Sequence, residues 1–297
     1  MKSRAETLPA PARAFATLSS LVELSKPRIT FMVLITTLGG LWLAPGSRDP
    51  MLWAATLAGV MLVVAGANAL NMYLERDTDA LMRRTRNRPL PSGRLSPEVA
   101  LFCGLLWSAL AIPLLTFAVN PLTGFLAGLS LVLYVLVYTP MKRRSTAALL
   151  VGAVPGAIPP LMGWTAATGS LGSGGVALFL ILFVWQLPHF IAISLFRAEE
   201  YKAAGLKVVP IERGVQGAKE RIAFYSLLML AVSLQVVRAG IGGAFYLAAA
   251  LALGGGLVTL ALYGLSREAR DKWARWYFLY TLVYLPALFI ALVVSHP

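Results

Sequence analysis

The sequence predicts an all-α polytopic membrane protein with nine transmembrane helices. Three observations predict it. The 297 residues are 58% hydrophobic and only 13% charged, with a mean hydropathy of +0.73, too apolar for a soluble domain of this length. The apolar residues fall into nine runs, most of them near the ~20 residues that cross a bilayer. The basic residues gather in alternate loops, as the positive-inside rule requires of a chain that crosses repeatedly.

In order, the runs are Ile29–Leu43, Leu52–Leu74, Val99–Val119, Leu122–Tyr138, Ala147–Ala167, Val176–Phe196, Ile222–Val237, Ile241–Leu265 and Trp273–Val294. The first and seventh are short and are expected to extend into their polar flanks or to tilt. Pro113, Pro155, Pro159, Pro160, Pro188 and Pro286 lie inside runs; neighbouring helices can satisfy the backbone groups they free. Residues 1–25 are expected to form a cytoplasmic tail and 26–297 a single transmembrane domain.

Charge sets the orientation. Of the 26 basic residues, 24 lie before the first run, in the loops after the second, fourth, sixth and eighth, or, for Arg275, at the very start of the ninth run; Arg48 and Arg238 are the exceptions. The N-terminus is therefore expected in the cytoplasm and the C-terminus, Ser295-His296-Pro297, outside. A net charge of +13 spread over one membrane face suits membrane lipid and gives no reason to expect nucleic acid. The tail lacks an apolar signal core, and Arg4 and Arg13 are offset by Glu6. A bacterial plasma (inner) membrane is the simpler expectation, with a mitochondrial presequence as the alternative. The lone Cys103 excludes a disulfide or a CxxC motif within the chain. Acidic residues do not obey the positive-inside rule, yet twelve of the thirteen, all but Asp49, share the basic face. Both signs on one face suit a site that binds a metal and an anion.

The second run ends in Asn68-Ala-Leu-Asn71-Met-Tyr-Leu-Glu75-Arg-Asp77-Thr-Asp79. Asn71, Glu75 and Asp79 are spaced i, i+4, i+8 and share one helical face. A carboxylate within a bilayer costs about 2.5–3.5 kcal/mol or more, so the ladder needs partners. Oxygen ligands of this kind suit Mg²⁺, which bridges one or two carboxylates to substrate phosphates. Arg83, Arg84, Arg86 and Arg88 follow, and guanidinium forks suit a diphosphate. The competing reading makes these arginines plain cytoplasmic loop residues paired with nearby acids.

A second constellation closes the sixth run: Trp185-Gln186-Leu-Pro188-His189-Phe190, then Arg197, Glu199, Glu200, Tyr201 and Lys202. Asn71 and His189 are 118 residues apart, about four helices, which suggests a four-plus-four repeat with a ninth helix added. His189 can ligate a metal or move a proton, or it can be a packed, hydrogen-bonded side chain. Lys26 and Arg28 can meet anionic substrate groups or serve as interfacial anchors. Tyr134, Tyr138, Trp164 and Trp185 can line a cavity or pack.

Asn71–Asp79 followed by Arg84-Thr-Arg-Asn-Arg88-Pro-Leu resembles the first motif of the UbiA-type membrane prenyltransferases. Trp185–Phe190, with Lys26-Pro-Arg28 and Tyr138-Thr-Pro-Met-Lys142-Arg143, is similar to the branch of that family that farnesylates protohaem IX. The resemblance runs from about Lys26 to Arg213 with the motifs in order. It implies a UbiA-type bundle around a cavity open to the cytoplasm. It also implies transfer of farnesyl from farnesyl diphosphate to a vinyl group of haem B, with addition of water and release of diphosphate, giving haem O. Mg²⁺ would sit on Asn71, Glu75 and Asp79, which with His189 are the candidate catalytic groups. Arg83, Arg84, Arg88 and Lys142 would meet the diphosphate; Lys26, Arg28, Trp185, Gln186, Arg197 and Glu200 complete the substrate contacts. Association with haem A synthase or terminal oxidase assembly would follow from such a product. One departure stands out: the second motif of the wider family offers aspartates, where this chain has Gln186 and His189, with Glu200 beyond. A prenyltransferase of quinone or chlorophyll precursors, a transporter and a membrane scaffold are the alternatives.

Overall fold

The computed structural model describes residues 18–266, 269 and 272–295. The greater part of the expected tail, residues 1–17, and the terminal His296 and Pro297 lie outside them. The described residues form helices joined by short turns, and none of them is in a strand.

Among the described residues, nine long helices follow one another: α1 (Pro27–Leu43), α2 (Pro50–Leu81), α3 (Pro97–Val119), α4 (Pro121–Met141), α5 (Ala148–Thr168), α6 (Ser173–Phe196), α7 (Val209–Arg238), α8 (Ala244–Leu265) and α9 (Lys272–Ser295). Among the described residues, α2 to α9 are long and apolar enough to cross a bilayer. With 17 residues, α1 is about 25 Å long, short of a ~30 Å hydrocarbon core.

The starts of α2, α3 and α4 share one device: a capping side chain followed by proline at the first helical position. Asp49 accepts from the Met51 amide at 2.9 Å, Ser96 from Val99 at 3.4 Å and Asn120 from Thr123 at 2.9 Å. Two helices outrun their apolar stretches. α2 continues seven residues past Leu74 and carries the whole Asn71–Asp79 ladder as helix. α7 begins at Val209 rather than near Ile222, and a kink at Gly214 (φ 72°) separates its polar entry from its apolar body. The last turns of α3 (Leu114–Val119) and α4 (Leu133–Tyr138) widen into π-helix, which periodicity does not foretell.

Packing proceeds along the chain, α1 on α2, α2 on α3, then α5 on α6, α6 on α7 and α7 on α8, while α9 closes against α6 and α8. At the centre α1 crosses α5 at backbone contact. A Cβ on Gly40 would stand 2.0 Å from the Pro160 carbonyl oxygen, and one on Gly163 2.0 Å from that of Thr37. Small residues allow this approach where lipid gives no hydrophobic drive between helices. Phe102, Phe117, Phe125, Leu136 and Val283 are exposed on the outside, an apolar perimeter suited to acyl chains. The protein is a multi-pass membrane protein.

Candidate active site

Helices α1, α2, α4, α5 and α6, with the turn after the six-residue helix Ala198–Ala203, enclose a cavity of about 420 Å³. Its deeper wall is apolar, with Val33, Val60, Val63, Leu131 and Met162; towards the basic face it becomes polar, with Lys26, Asn71, Glu75, Asp79, Arg88 and Lys142. The apolar α2 residues precede Asn71 and the charged ones follow it, so a single helix carries the gradient.

Each rung of the α2 ladder meets a cation from a different segment. Lys26 donates to Asn71 Oδ1 at 3.2 Å, Lys142 to Glu75 Oε1 at 2.8 Å and Arg88 to Asp79 Oδ2 at 2.6 Å. Asn71 Nδ2 donates onward to Glu75 Oε2 and to Thr139 Oγ1, both at 3.0 Å. The Asp79 side chain is 2% exposed, while those of Arg88, Lys142 and Glu75 remain open to 23%, 20% and 15%. The cations therefore neutralise the acids and still present a face to the cavity.

Lys26 is the one non-glycine among the described residues with positive φ, at 48°. Such a backbone is uncommon outside glycine and is held here by the Pro27 helix start and the Asn71 contact. Burial, then Arg88 and Lys142, pulls its ammonium pKa down to about 7, against the opposing pull of Glu75 and Asp79. An anion entering the site would restore the charge. Burial also disfavours the Lys142 ammonium, yet Tyr138, Glu75 and Tyr134 hold its pKa above the ordinary value. Its Nζ sits 4.4 Å from the Tyr138 ring centroid.

The donor set fits a divalent cation that keeps much of its water. Two carboxylates one turn apart face a polar chamber rimmed with cations, the arrangement in which Mg²⁺ joins carboxylate to phosphate. Asn71 fits less directly, because its oxygen faces Lys26 and its amide nitrogen faces Glu75. Among the described residues no cluster of three or more His, Cys, Asp or Glu could hold a metal without further ligands. Any ion held here would need oxygens from substrate and water to complete its shell.

The structure gathers Lys26, Asn71, Glu75, Asp79, Arg84, Arg88, Lys142 and Gln186 around the cavity, and leaves six expected residues outside its wall. Arg28 and Arg83 are exposed elsewhere on the surface. Arg197 and Glu200 pair with each other at 3.4 Å. Trp185 and His189 lie on the face of α6 that packs on α9. His189 Nδ1 and Thr281 Oγ1 are 2.7 Å apart, and Trp185 Nε1 donates to the Thr281 carbonyl at 2.9 Å. The two rings stack at 4.5 Å, with Phe278 at 4.9 Å from the imidazole. The physical reason is the helical period: Gln186 and His189 are three residues apart, and the wall of the cavity ends between them. Trp164 is likewise packing, lodged against Gly172, Gly174 and Gly175.

The model of the UbiA prenyltransferase family matches residues 33–283. The chain belongs to that family. Among its relatives, the protoheme IX farnesyltransferase of Myxococcus xanthus (strain DK1622) is 48% identical over 295 residues, covering 99% of this chain and 98% of that one. The namesake from Anaeromyxobacter dehalogenans (strain 2CP-C) is 51% identical over 293 residues, with the same two coverages of 99% and 98%. Solved structures share the UbiA fold at low identity. One, from work on digeranylgeranylglyceryl phosphate synthase, has a TM-score of 0.81 at 18% identity, covering 94% of this chain and 98% of its own. A UbiA homologue from Archaeoglobus fulgidus bound to DMAPP and Mg²⁺ has a TM-score of 0.64 at 15% identity, covering 92% and 99%.

Sequence reasoning about this UbiA member missed several groups. Thr78, Ser130 and Lys207 line the cavity, and Thr139 is a direct partner of Asn71. Thr139 lies within a stretch already singled out for Lys142. Lys207 looks like any other cation of the basic face until its amide bonds the Lys142 carbonyl at 2.9 Å, tying the two loops together at the mouth.

Proposed function

We propose that the protein transfers the farnesyl group of farnesyl diphosphate to a vinyl group of haem B, with addition of water and release of diphosphate, giving haem O. The observation that carries the chemistry is the graded cavity, apolar at its depth and lined at its mouth by acids each matched to a cation. The acceptor is favoured by relatives of that activity over essentially the full chain.

In this reading the prenyl chain lies along Val33, Val60, Val63, Leu131 and Met162, and the diphosphate meets Arg84, Arg88, Lys142 and Lys26. As the allylic C–O bond breaks, its electron pair leaves with the diphosphate, and these cations stabilise the growing negative charge. Glu75 and Asp79, with Asn71, would hold Mg²⁺, which supplies Lewis-acid stabilisation of the leaving group when bound. The apolar wall keeps bulk water from the allylic centre. The vinyl π pair forms the new C–C bond, and water adds at the adjacent carbon and releases a proton. The basic face, with the cavity mouth, is read as cytoplasmic by the positive-inside rule, in a bacterial inner membrane.

The test is incubation of the purified protein with farnesyl diphosphate, Mg²⁺ and haem B, followed by mass spectrometry of the extracted haem. A product heavier by one farnesyl group and one hydroxyl is expected. Unchanged haem alongside prenylation of an aromatic acid would move the protein to the quinone branch.

A further inference from the structure

Hydration of a vinyl carbon needs a water molecule at the reaction centre, inside a cavity whose depth is otherwise apolar. One buried polar side chain there is left half-satisfied. Gln186 is 7% exposed, and its Nε2 donates to the Leu182 carbonyl at 2.9 Å and the Ala153 carbonyl at 3.3 Å. Both partners are acceptors only, so the amide orientation is fixed and Oε1 must turn the other way. There it abuts Gly156, where a Cβ would stand 2.1 Å from it. Gly156 is exposed to the cavity although its helical neighbours Pro155 and Ala157 are buried. Among the described residues Oε1 has no hydrogen-bond partner. Oε1 is therefore a free acceptor on the cavity wall, open to a donor that enters the cavity.

Two further acceptors adjoin it. Pro160 has no N–H, so the Gly156 carbonyl lacks its helical donor. Across the same stretch of α5, the Ser130 hydroxyl from α4 reaches the Pro155 carbonyl at 3.4 Å, which leaves its lone pairs free. A buried water needs two to four polar partners, and its two hydrogens can reach Gln186 and either of these acceptors. The depth is also suitable. Gln186 is ten residues from the mouth end of α6, about 15 Å of helix, among the apolar residues of the cavity wall, where a prenyl chain would follow its diphosphate.

We infer that Gln186, with the Gly156 carbonyl or the Ser130 hydroxyl as the second acceptor, holds the water that adds to the vinyl group. This rests on the haem-farnesylating reading above. In the step, the terminal vinyl carbon bonds farnesyl C1 with the π pair, leaving positive charge on the inner carbon. The held water donates a lone pair to that carbon and loses a proton to the diphosphate or solvent. With no water in place, the same cation loses a proton from the neighbouring carbon and closes to an alkene, a product lighter by one water.

The experiment compares wild type with Gln186→Leu and Gly156→Ala, scoring farnesylated haem by mass. Gln186→Leu removes the acceptor; Gly156→Ala keeps it but pushes the amide from its place. Both are expected to farnesylate haem while the ratio of hydrated to anhydro product falls roughly tenfold, the size of one lost hydrogen bond. Where Gln186→Leu fails to fold by thermal melt, Gly156→Ala carries the test. An unchanged ratio in folded variants, whatever their rate, would overturn the inference and leave the haem-farnesylating reading standing. Failure of the wild type itself to farnesylate haem would overturn both.

Discussion

Two polar seams run through this apolar protein, and they are built differently. On α2, Asn71, Glu75 and Asp79 meet Lys26, Lys142 and Arg88 with part of every cation left open to the cavity. On α9, Tyr277, Thr281 and Tyr284 meet Ser226, His189 and Ser233 at 2.7, 2.7 and 2.9 Å, and Tyr246 donates to the Ser233 carbonyl at 2.9 Å. The second seam is neutral, buried and closed upon itself. The first is charged, partly open and completed only by something that enters. Buried polarity in a membrane helix is therefore not in itself a site; polarity with unused capacity is.

The sharpest way to break this contrast is to remove charge from the open seam. Asp79→Asn is expected to lower prenyl transfer on the order of 10²–10³-fold, in line with loss of a preorganised electrostatic partner, while haem binding persists in a spectral titration. Full activity would remove the metal from this ladder. Arg84→Gln comes next. Arg84 lines the cavity and forms no ion pair among the described residues, so its loss should raise KM for farnesyl diphosphate about tenfold with an unchanged melting temperature. A drop in melting temperature instead would make Arg84 a structural residue.

The closed seam should respond in the opposite sense. His189→Phe is expected to leave turnover within about twofold and to cost about 1 kcal/mol of stability, the worth of one hydrogen bond. Loss of turnover in a well-folded His189→Phe protein would return the imidazole to the chemistry. Smallest of all, Tyr284→Phe should cost ~0.6 kcal/mol, the average for a hydrogen bond between membrane helices, read as a small drop in melting temperature with activity intact.

The two motif stretches were not equally legible in the sequence. The α2 ladder could be read because a spacing of four places three polar side chains on one face wherever the helix points, and the adjoining arginines included one of its counter-charges, Arg88. The α6 stretch could not. Gln186 and His189 are both polar residues in an apolar helix, and the sequence gives no sign that one faces a cavity while the other packs on α9. The π-helical turn that brings Tyr134 and Tyr138 to the cavity wall is also silent, since its widened register belongs to the packing of α4 rather than to its composition.

The sequence by itself determined the membrane class, the crowding of charge onto one face, the ladder and the likeness to the family, because each is a matter of local composition or helical period. Tertiary structure decided which cation meets which acid, which side of α6 faces the cavity, and that Gly156 leaves room for an amide oxygen. In a bilayer the helices are as apolar toward lipid as toward one another, so no hydrophobic pattern marks the inward face; only the packing of distant helices does.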